Sequence, residues 1–129
     1  MENSIIEYGE TLKKIGGELV RASKDLSFTI HENSDVILVK LEREVLLLES
    51  VATELESVSP PKVIDKEHLE LLDVFKDLAE GKKYLMQFIK SNAGIITCNK
   101  FSNVMKDINK KGELINNIST SLIIKLLNN

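Results

Sequence analysis

The strongest candidate for chemistry in this sequence is the stretch 65–68, Asp-Lys-Glu-His, which holds one of the two histidines. Asp65 lies three residues before His68, and on a helix this spacing places both side chains on one face. Di-iron bundles use Glu-x-x-His from two helices and a glutamate from each of two others. The second histidine does not complete such a set, because Phe28 stands three residues before His31. We therefore predict no metal site and a solvated or capping role for His68.

Four carboxylates form a second candidate, because they line one strip of a predicted helix at spacings of three, four and three residues. A carboxylate cluster can bind a hard cation, but cation sites usually gather their ligands from several directions. These four acids share one helix with lysines nearby, which is typical of a solvated helix face. They are Glu70, Asp73, Asp77 and Glu80.

The single cysteine, Cys98, has no partner for an internal disulfide and no histidine close to it in sequence. A cysteine nucleophile needs a neighbouring base or a cationic setting that lowers its thiol pKa. The sequence also lacks a phosphate-binding glycine loop and zinc-ligand spacing. These observations predict a protein that is not an enzyme, with no catalytic residue, no cofactor and no metal.

The elements that position these residues are predicted from apolar periodicity. Three interruptions, at 32–35, 57–64 and 91–99, separate four segments in which apolar residues recur in steps of three and four. Such stripes are typical of packed helices. The first stripe includes Tyr8, and the third begins with Leu69 and Leu72. The second consists of Ile37, Leu41, Val45, Leu48, Ala52 and Leu55. We predict one all-α domain, 1–129, folded as a four-helix up-and-down antiparallel bundle. The predicted helices cover about 4–32, 35–58, 65–91 and 98–127.

Two prolines explain the middle interruption. Pro60 and Pro61 cannot continue a helix, and the residue before a proline is pushed toward extended geometry. Asp65 then fits as the N-cap of the next helix, because a carboxylate there accepts hydrogen bonds from the first turn. The sequence therefore predicts a connection between antiparallel helices at this point.

Small residues recur every seven positions in the first helix, at Gly9, Gly16 and Ser23. Glycine inside a helix costs roughly 1 kcal/mol relative to alanine. Two interpretations follow: either a neighbouring helix approaches closely along this ridge, or the pair Gly16-Gly17 kinks or weakens the helix.

Surplus apolar residues on two helices predict an interaction surface. The second helix is apolar on more than one side, and the end of the last helix is more apolar than one buried face requires. Such a surplus indicates contact with a protein partner or with a second copy, which makes a homodimer one alternative. The predicted surface consists of Leu38, Val39, Leu46, Leu47, Val51, Ile123 and Leu127.

Composition and charge exclude further function classes. Hydrophobic residues make up 43% of the chain, yet no apolar run approaches the roughly 20 residues of a membrane-spanning helix. Residues 40–80 carry five bases and eleven acids, whereas 81–129 carry eight bases and two acids. The basic part contains no arginine and few aromatics, so we predict no nucleic-acid partner. An absent leader and a single cysteine favour a cytoplasmic location, or an extracytoplasmic one if a leader has been removed.

The order of these features resembles that of a known group of small domains. A Pro-Pro corner precedes His-x-x-Leu-Leu, and the last helix reads "NVMKDINKKGELINNISTSL". This order is similar to that of small helical domains of Gram-positive bacteria, many of them lipid-anchored extracytoplasmic proteins of unknown function. Their corner proline and following histidine match Pro61 and His68, and their last-helix rhythm is matched loosely by Met105, Gly112 and Ile115. The resemblance implies a helical bundle and carries over no catalytic residue; no lipid-acceptor cysteine lies near the start here.

Together these patterns favour a non-enzymatic helical module that binds a protein partner. One alternative is a bundle that binds an apolar small molecule over the ridge Gly9–Gly16. Others are an extracytoplasmic lipoprotein-type domain and a phage or mobile-element inhibitor or immunity protein that acts by binding. Fifteen lysines against two arginines, with fourteen isoleucines and ten asparagines, indicate a low-GC bacterial or phage source.

Overall fold

The computed structural model describes residues 2–25, 33–91 and 99–128. These residues form four α-helices and one 3₁₀ turn, with no strand among them, so the predicted all-α four-helix bundle is confirmed. The continuation of the first helix predicted over 26–32 lies outside the described residues. The helices are α1 (Glu2–Asp25), α2 (Ser34–Ser57), α3 (Asp65–Ser91) and α4 (Asn99–Leu127), and the 3₁₀ turn is Lys62–Ile64.

The helix ends follow local chemistry. Asn33 caps α2, because its side-chain oxygen accepts a hydrogen bond of 2.8 Å from the backbone N–H of Asp35. The helix ends at Ser57, shortly before the two prolines. The 3₁₀ turn is closed by a 3.1 Å hydrogen bond from the Ile64 N–H to the Pro61 carbonyl. The predicted connection between helices is therefore confirmed.

One face of each helix builds the core, and the predicted stripe of α2 is buried at every position. In α3 the predicted stripe is buried at Leu72, Phe75, Leu78, Leu85 and Ile89 but not at its first position. Leu69, which we predicted to be inside, is 59% exposed, and Leu71 is buried instead. The buried positions of α2 are Ile37, Leu41, Val45, Leu48, Ala52 and Leu55.

The four helices do not pack equally closely. The most extensive contacts join α2 to α3 and α3 to α4, whereas α1 packs more loosely and mainly on α2. The helices α3 and α4 are in contact at Gly81, where an added Cβ would stand 3.6 Å from Ile108 Cγ1. The fold is thus a tight three-helix unit, α2–α4, with α1 laid against it.

The glycines of α1 do not mediate close packing. A Cβ added at Gly9, Gly16 or Gly17 would meet nothing within 4 Å. The interpretation that a neighbouring helix approaches along this ridge is therefore wrong for the residues that the structure describes. Of the α1 side chains described, only Tyr8 and Ile15 are buried.

Candidate functional site

His68 occupies a buried position where three helices meet. It lies in the first turn of α3 and is only 5% exposed. Its Nδ1 atom stands 2.7 Å from the hydroxyl of Tyr8, a fully buried residue of α1. The two rings pack edge to face, with centroids 5.4 Å apart. The prediction of a solvated histidine is therefore wrong, because the packing of α1 removes this ring from water.

The same ring also bonds to α2. It hydrogen-bonds the backbone of Leu55, a residue in the last turn of that helix, where carbonyl groups lack a donor from their own helix. The predicted alternative, a capping role, agrees better with this contact. The helix that His68 caps, however, is α2 and not its own helix, α3. We call this arrangement the Tyr8–His68–Leu55 link. With the hydroxyl donating to Nδ1, the ring proton lies on Nε2.

Burial controls the protonation of both rings in the link. It lowers the pKa of His68 below the ordinary value of 6.5, although the negative charge of Asp65 and the bond to Leu55 oppose this shift. Burial also raises the pKa of the Tyr8 hydroxyl above its ordinary range. A neutral imidazole and a neutral phenol are therefore the favoured forms at neutral pH.

The neighbouring residue, Glu67, joins α3 to α4. Its carboxylate is nearly buried and lies 2.7 and 3.1 Å from Nζ of Lys125. The hydrogen bond from Lys125 lowers the pKa of Glu67, against the opposing effect of burial. Glu67 and His68 point toward different helices, so the carboxylate and the imidazole serve two separate contacts rather than one reactive centre.

The polar groups of this region already have partners. All buried side-chain nitrogen and oxygen atoms in the described part of the chain have hydrogen-bond partners. In that same part, no three His, Cys, Asp or Glu side chains are grouped so that they could hold a metal ion. The candidates His31 and Cys98 lie outside the described residues.

An apolar groove runs between α1 and α4 at the end of the bundle that holds the link. Its volume is about 380 Å³, and we call it the α1–α4 groove. Gly9 contributes backbone rather than side chain to the wall, and Lys13 is the charged residue that lines it. The lining consists of Ile5, Gly9, Leu12, Lys13, Ile123, Leu126 and Leu127.

A second groove lies near the C-terminal end of α1, toward the far end of the bundle. It has a volume of about 290 Å³ and is lined by apolar residues of α1, α2 and α3. Glu44 and Lys82, which form an ion pair with each other, line it as well. The helix α1, which packs loosely, thus has an apolar groove beside it near each of its two ends.

The predicted interaction surface is divided between the core, the groove and the face of α2. Val51 is fully buried inside the chain, so its assignment to an outer surface is wrong. Ile123 and Leu127 lie in the α1–α4 groove, and Leu127 is 80% exposed. On α2, Val39 and Leu46 are exposed, whereas two others are half-buried against the core: Leu38 and Leu47.

Two signals in the sequence could have placed His68 inside. It lies four residues after Ile64 and four before Leu72, both of which are buried, so it continues their stripe. Tyr8 lies on the predicted apolar stripe of α1, and a buried tyrosine hydroxyl usually needs a polar partner. The sequence reading instead took Leu69 as the inward residue of this turn.

No protein family model, curated protein or solved structure matches this chain. The resemblance to small helical domains of Gram-positive bacteria therefore stays a prediction. Within the described residues, no helix combines the length and apolar character that crossing a membrane would require.

Proposed function

We propose that this protein is a non-enzymatic helical module that binds a partner protein, and that the α1–α4 groove receives an amphipathic helix of that partner. The observation that carries the proposal is the groove itself, an open apolar channel between two helices of the bundle. Binding of an amphipathic helix in such a groove is a recurrent mode of peptide recognition.

The apolar walls support a protein ligand. Ile123 and Leu127 project from the last turns of α4 and remain exposed, and Ile5 and Leu12 line the facing wall from α1. Contiguous exposed apolar residues in a concave surface are typical of binding sites, whereas single exposed ones are ordinary. A partner helix with apolar residues at positions i, i+4 and i+7 would cover both walls.

Gly9 supports a close approach of the partner. An added Cβ there would meet no atom within 4 Å, so the space in front of this glycine is open. A residue without a side chain lets another backbone come near. We therefore expect the partner helix to cross α1 at Gly9, with a small residue at the crossing point.

The charge at the groove specifies one polar feature of the partner. Lys13 is the charged side chain in the lining. A partner helix that carries Asp or Glu beside its apolar stripe would place a carboxylate against this ammonium group. Charge pairs at the rim of an interface contribute more to specificity and association rate than to affinity.

A peptide selection tests the proposal without knowledge of the natural partner. We would pan a display library of helix-patterned peptides, with apolar and acidic positions randomised, against the purified protein. Enriched peptides are expected to carry the apolar spacing and an acidic residue. Their binding should be lost in Leu127→Asp and weakened in Lys13→Glu, and replacing the peptide's acid with lysine should restore binding to Lys13→Glu.

The matched control is Leu46→Asp, which changes a leucine of the same kind on the exposed face of α2. It should leave binding of the selected peptides unchanged. Loss of binding in Leu46→Asp but not in Leu127→Asp would refute the groove and would place the interaction on α2. Light scattering of the wild-type protein tests the predicted alternative of a homodimer separately.

The volume of the α1–α4 groove favours one second candidate, the binding of an apolar small molecule. About 380 Å³ lies within the range of small-molecule sites, roughly 300–1,000 Å³. Lys13 would then pair with an acidic group on the molecule. Titration calorimetry with dodecanoate tests this candidate; binding that is lost in Leu127→Asp would support it, and no heat at millimolar concentration would exclude this ligand class.

A further inference from the structure

We infer that α1 is a releasable helix: the Tyr8–His68–Leu55 link holds it on the α2–α4 unit, and protonation of His68 at mildly acidic pH detaches it while the other three helices stay folded. This inference does not depend on the proposed partner, because it concerns the chain alone.

The packing of α1 makes it the element that can leave first. Of its described side chains only Tyr8 and Ile15 are buried, and grooves lie beside α1 near both ends of the helix. Its ion pair with α2, between Lys14 and Glu54 at 3.6 Å, is largely exposed and therefore weak. Regions with few buried apolar contacts open at lower free energy than the core of a protein.

The glycines of α1 also favour its release from the bundle. Gly9, Gly16 and Gly17 lie inside the helix, and none of them has a neighbour within 4 Å of an added Cβ. Each costs roughly 1 kcal/mol of helix stability relative to alanine without a packing gain in return. An α1 that has left the bundle would therefore lose its helical structure easily.

The link is a polar contact that joins α1 to α3 directly and, through His68, to α2. Tyr8 is fully buried, and its hydroxyl oxygen lies 2.7 Å from Nδ1 of His68. In the tautomer with its proton on Nε2, the hydroxyl donates to Nδ1. The ring also bonds the backbone of Leu55 in α2. This geometry requires an acceptor at Nδ1, and only the neutral imidazole provides one.

Protonation puts a hydrogen on Nδ1 and removes that acceptor. The Tyr8 hydroxyl then has to rotate and accept a bond from the ring, which leaves its own proton without a partner in a buried place. A buried polar group without a partner is costly, and so is a buried cation. Both costs vanish when α1 leaves and water reaches the ring.

Few charges act on the ring from the helices around it. From α1 it is faced by the neutral phenol of Tyr8, and from α2 by the backbone of Leu55. On its own helix the negative charge of Asp65 partly offsets the cost of protonation. The ammonium group of Lys125, from α4, is bound to Glu67.

The direction of the pH effect follows from these contacts. The closed state disfavours the proton on His68, whereas a solvated histidine in the open state takes it up near pH 6.5. The open state is therefore favoured as the pH falls below about 6.5, by up to tenfold per pH unit for one proton. Above that pH the link contributes its full stabilisation.

Hydrogen exchange tests the inference on the full chain. At pH 7.5 we expect amides of α1 to open more often than those of α3. After correction for intrinsic exchange rates, lowering the pH from 7.5 to 5.5 should raise the opening constant of α1 by up to about tenfold relative to α3. The Tyr8→Phe variant should raise it about tenfold or more already at pH 7.5, because one buried bond is lost.

Two substitutions identify the titrating group. His68→Gln should abolish the pH dependence of the α1 opening constant, while the control His31→Gln, at the other histidine, should leave it unchanged. Equal protection of α1 and α3 at both pH values would overturn the inference, as would a pH dependence that disappears in His31→Gln. If His68→Gln does not fold, an NMR titration of the His68 ring in the wild-type protein tests the inference instead. A measured pKa at or above 6.5 would overturn it, because the closed state would then not disfavour the proton.

Discussion

Replacing Tyr8 with Phe removes one oxygen atom from the centre of the Tyr8–His68–Leu55 link and changes little else. The phenyl ring keeps its packing, so no cavity comparable to a lost side chain forms. Nδ1 of His68, on a residue only 5% exposed, then loses the donor that lies 2.7 Å away. Leaving a buried acceptor without a partner costs about 1–3 kcal/mol.

This cost is large enough to measure. A domain of this kind has a free energy of unfolding of roughly 5–15 kcal/mol, so the substitution removes a sizeable fraction of it. Each kcal/mol lowers the Tm of a chain of this length by roughly 3–6 °C. Urea unfolding followed by circular dichroism at 222 nm suits an all-helical chain without tryptophan. The control is Tyr84→Phe, because Tyr84 is 54% exposed and its hydroxyl is solvated in both states; it should cost less than about 0.5 kcal/mol.

A double-mutant cycle shows whether the cost arises from the hydrogen bond. In His68→Leu the Tyr8 hydroxyl is the group left without a partner, so adding Tyr8→Phe there should be neutral or stabilising. The two substitutions should therefore couple by about 1–3 kcal/mol at pH 7.5. An equal effect of Tyr8→Phe in both backgrounds would refute the reasoning, because it would mean that the hydroxyl contributes independently of His68.

Three further predictions concern other parts of the bundle. Gly16→Ala should raise the free energy of unfolding by up to about 1 kcal/mol in the same urea assay, because the added methyl group meets nothing and glycine disfavours the helix; a loss of stability would show that the site is crowded. Leu122→Ala, at a fully buried position of α4, should cost about 2–5 kcal/mol, while Leu114→Ala on the exposed face should change the urea midpoint little. Lys125→Met should lower the Tm at pH 7, because the nearly buried Glu67 loses its cation, and the difference from wild type should shrink as the pH falls below about 4.5 and Glu67 becomes protonated; a pH-independent difference would contradict this cause.

Periodicity predicts the helices and most of the core of this protein, because the inward face of a long helix recurs every three to four residues. The α2 stripe from Ile37 to Leu55 is buried as predicted. The failure at Leu69 has a physical cause: both Leu69 and His68 fit a helical stripe, and hydrophobicity alone favours leucine. The hydrogen bonds offered by Tyr8 and Leu55 make the histidine the better inward residue, and these partners lie on other helices.

The α1–α4 groove could be predicted only in part. An excess of apolar residues at the end of α4 indicated a surface, and Ile123 and Leu127 do lie in the groove. The sequence did not reveal the facing wall, because glycine in a helix is compatible with close packing and with open space alike. Only the distance between α1 and its neighbours decides between these two cases, and Gly9 stands in open space.

Three ion pairs join α2 to α3 with the same polarity, and this affects which helices can associate. Glu56 of α2 pairs with Lys76 of α3 at 2.9 Å, Glu49 pairs with Lys83 at 2.9 Å, and Glu44 pairs with Lys82. Single pairs of this kind contribute little to stability. As a set they discriminate between partners, because two α2 helices brought together would align glutamate with glutamate. The acidic helix α2 is thereby matched to the lysine-bearing α3 and not to a second α2.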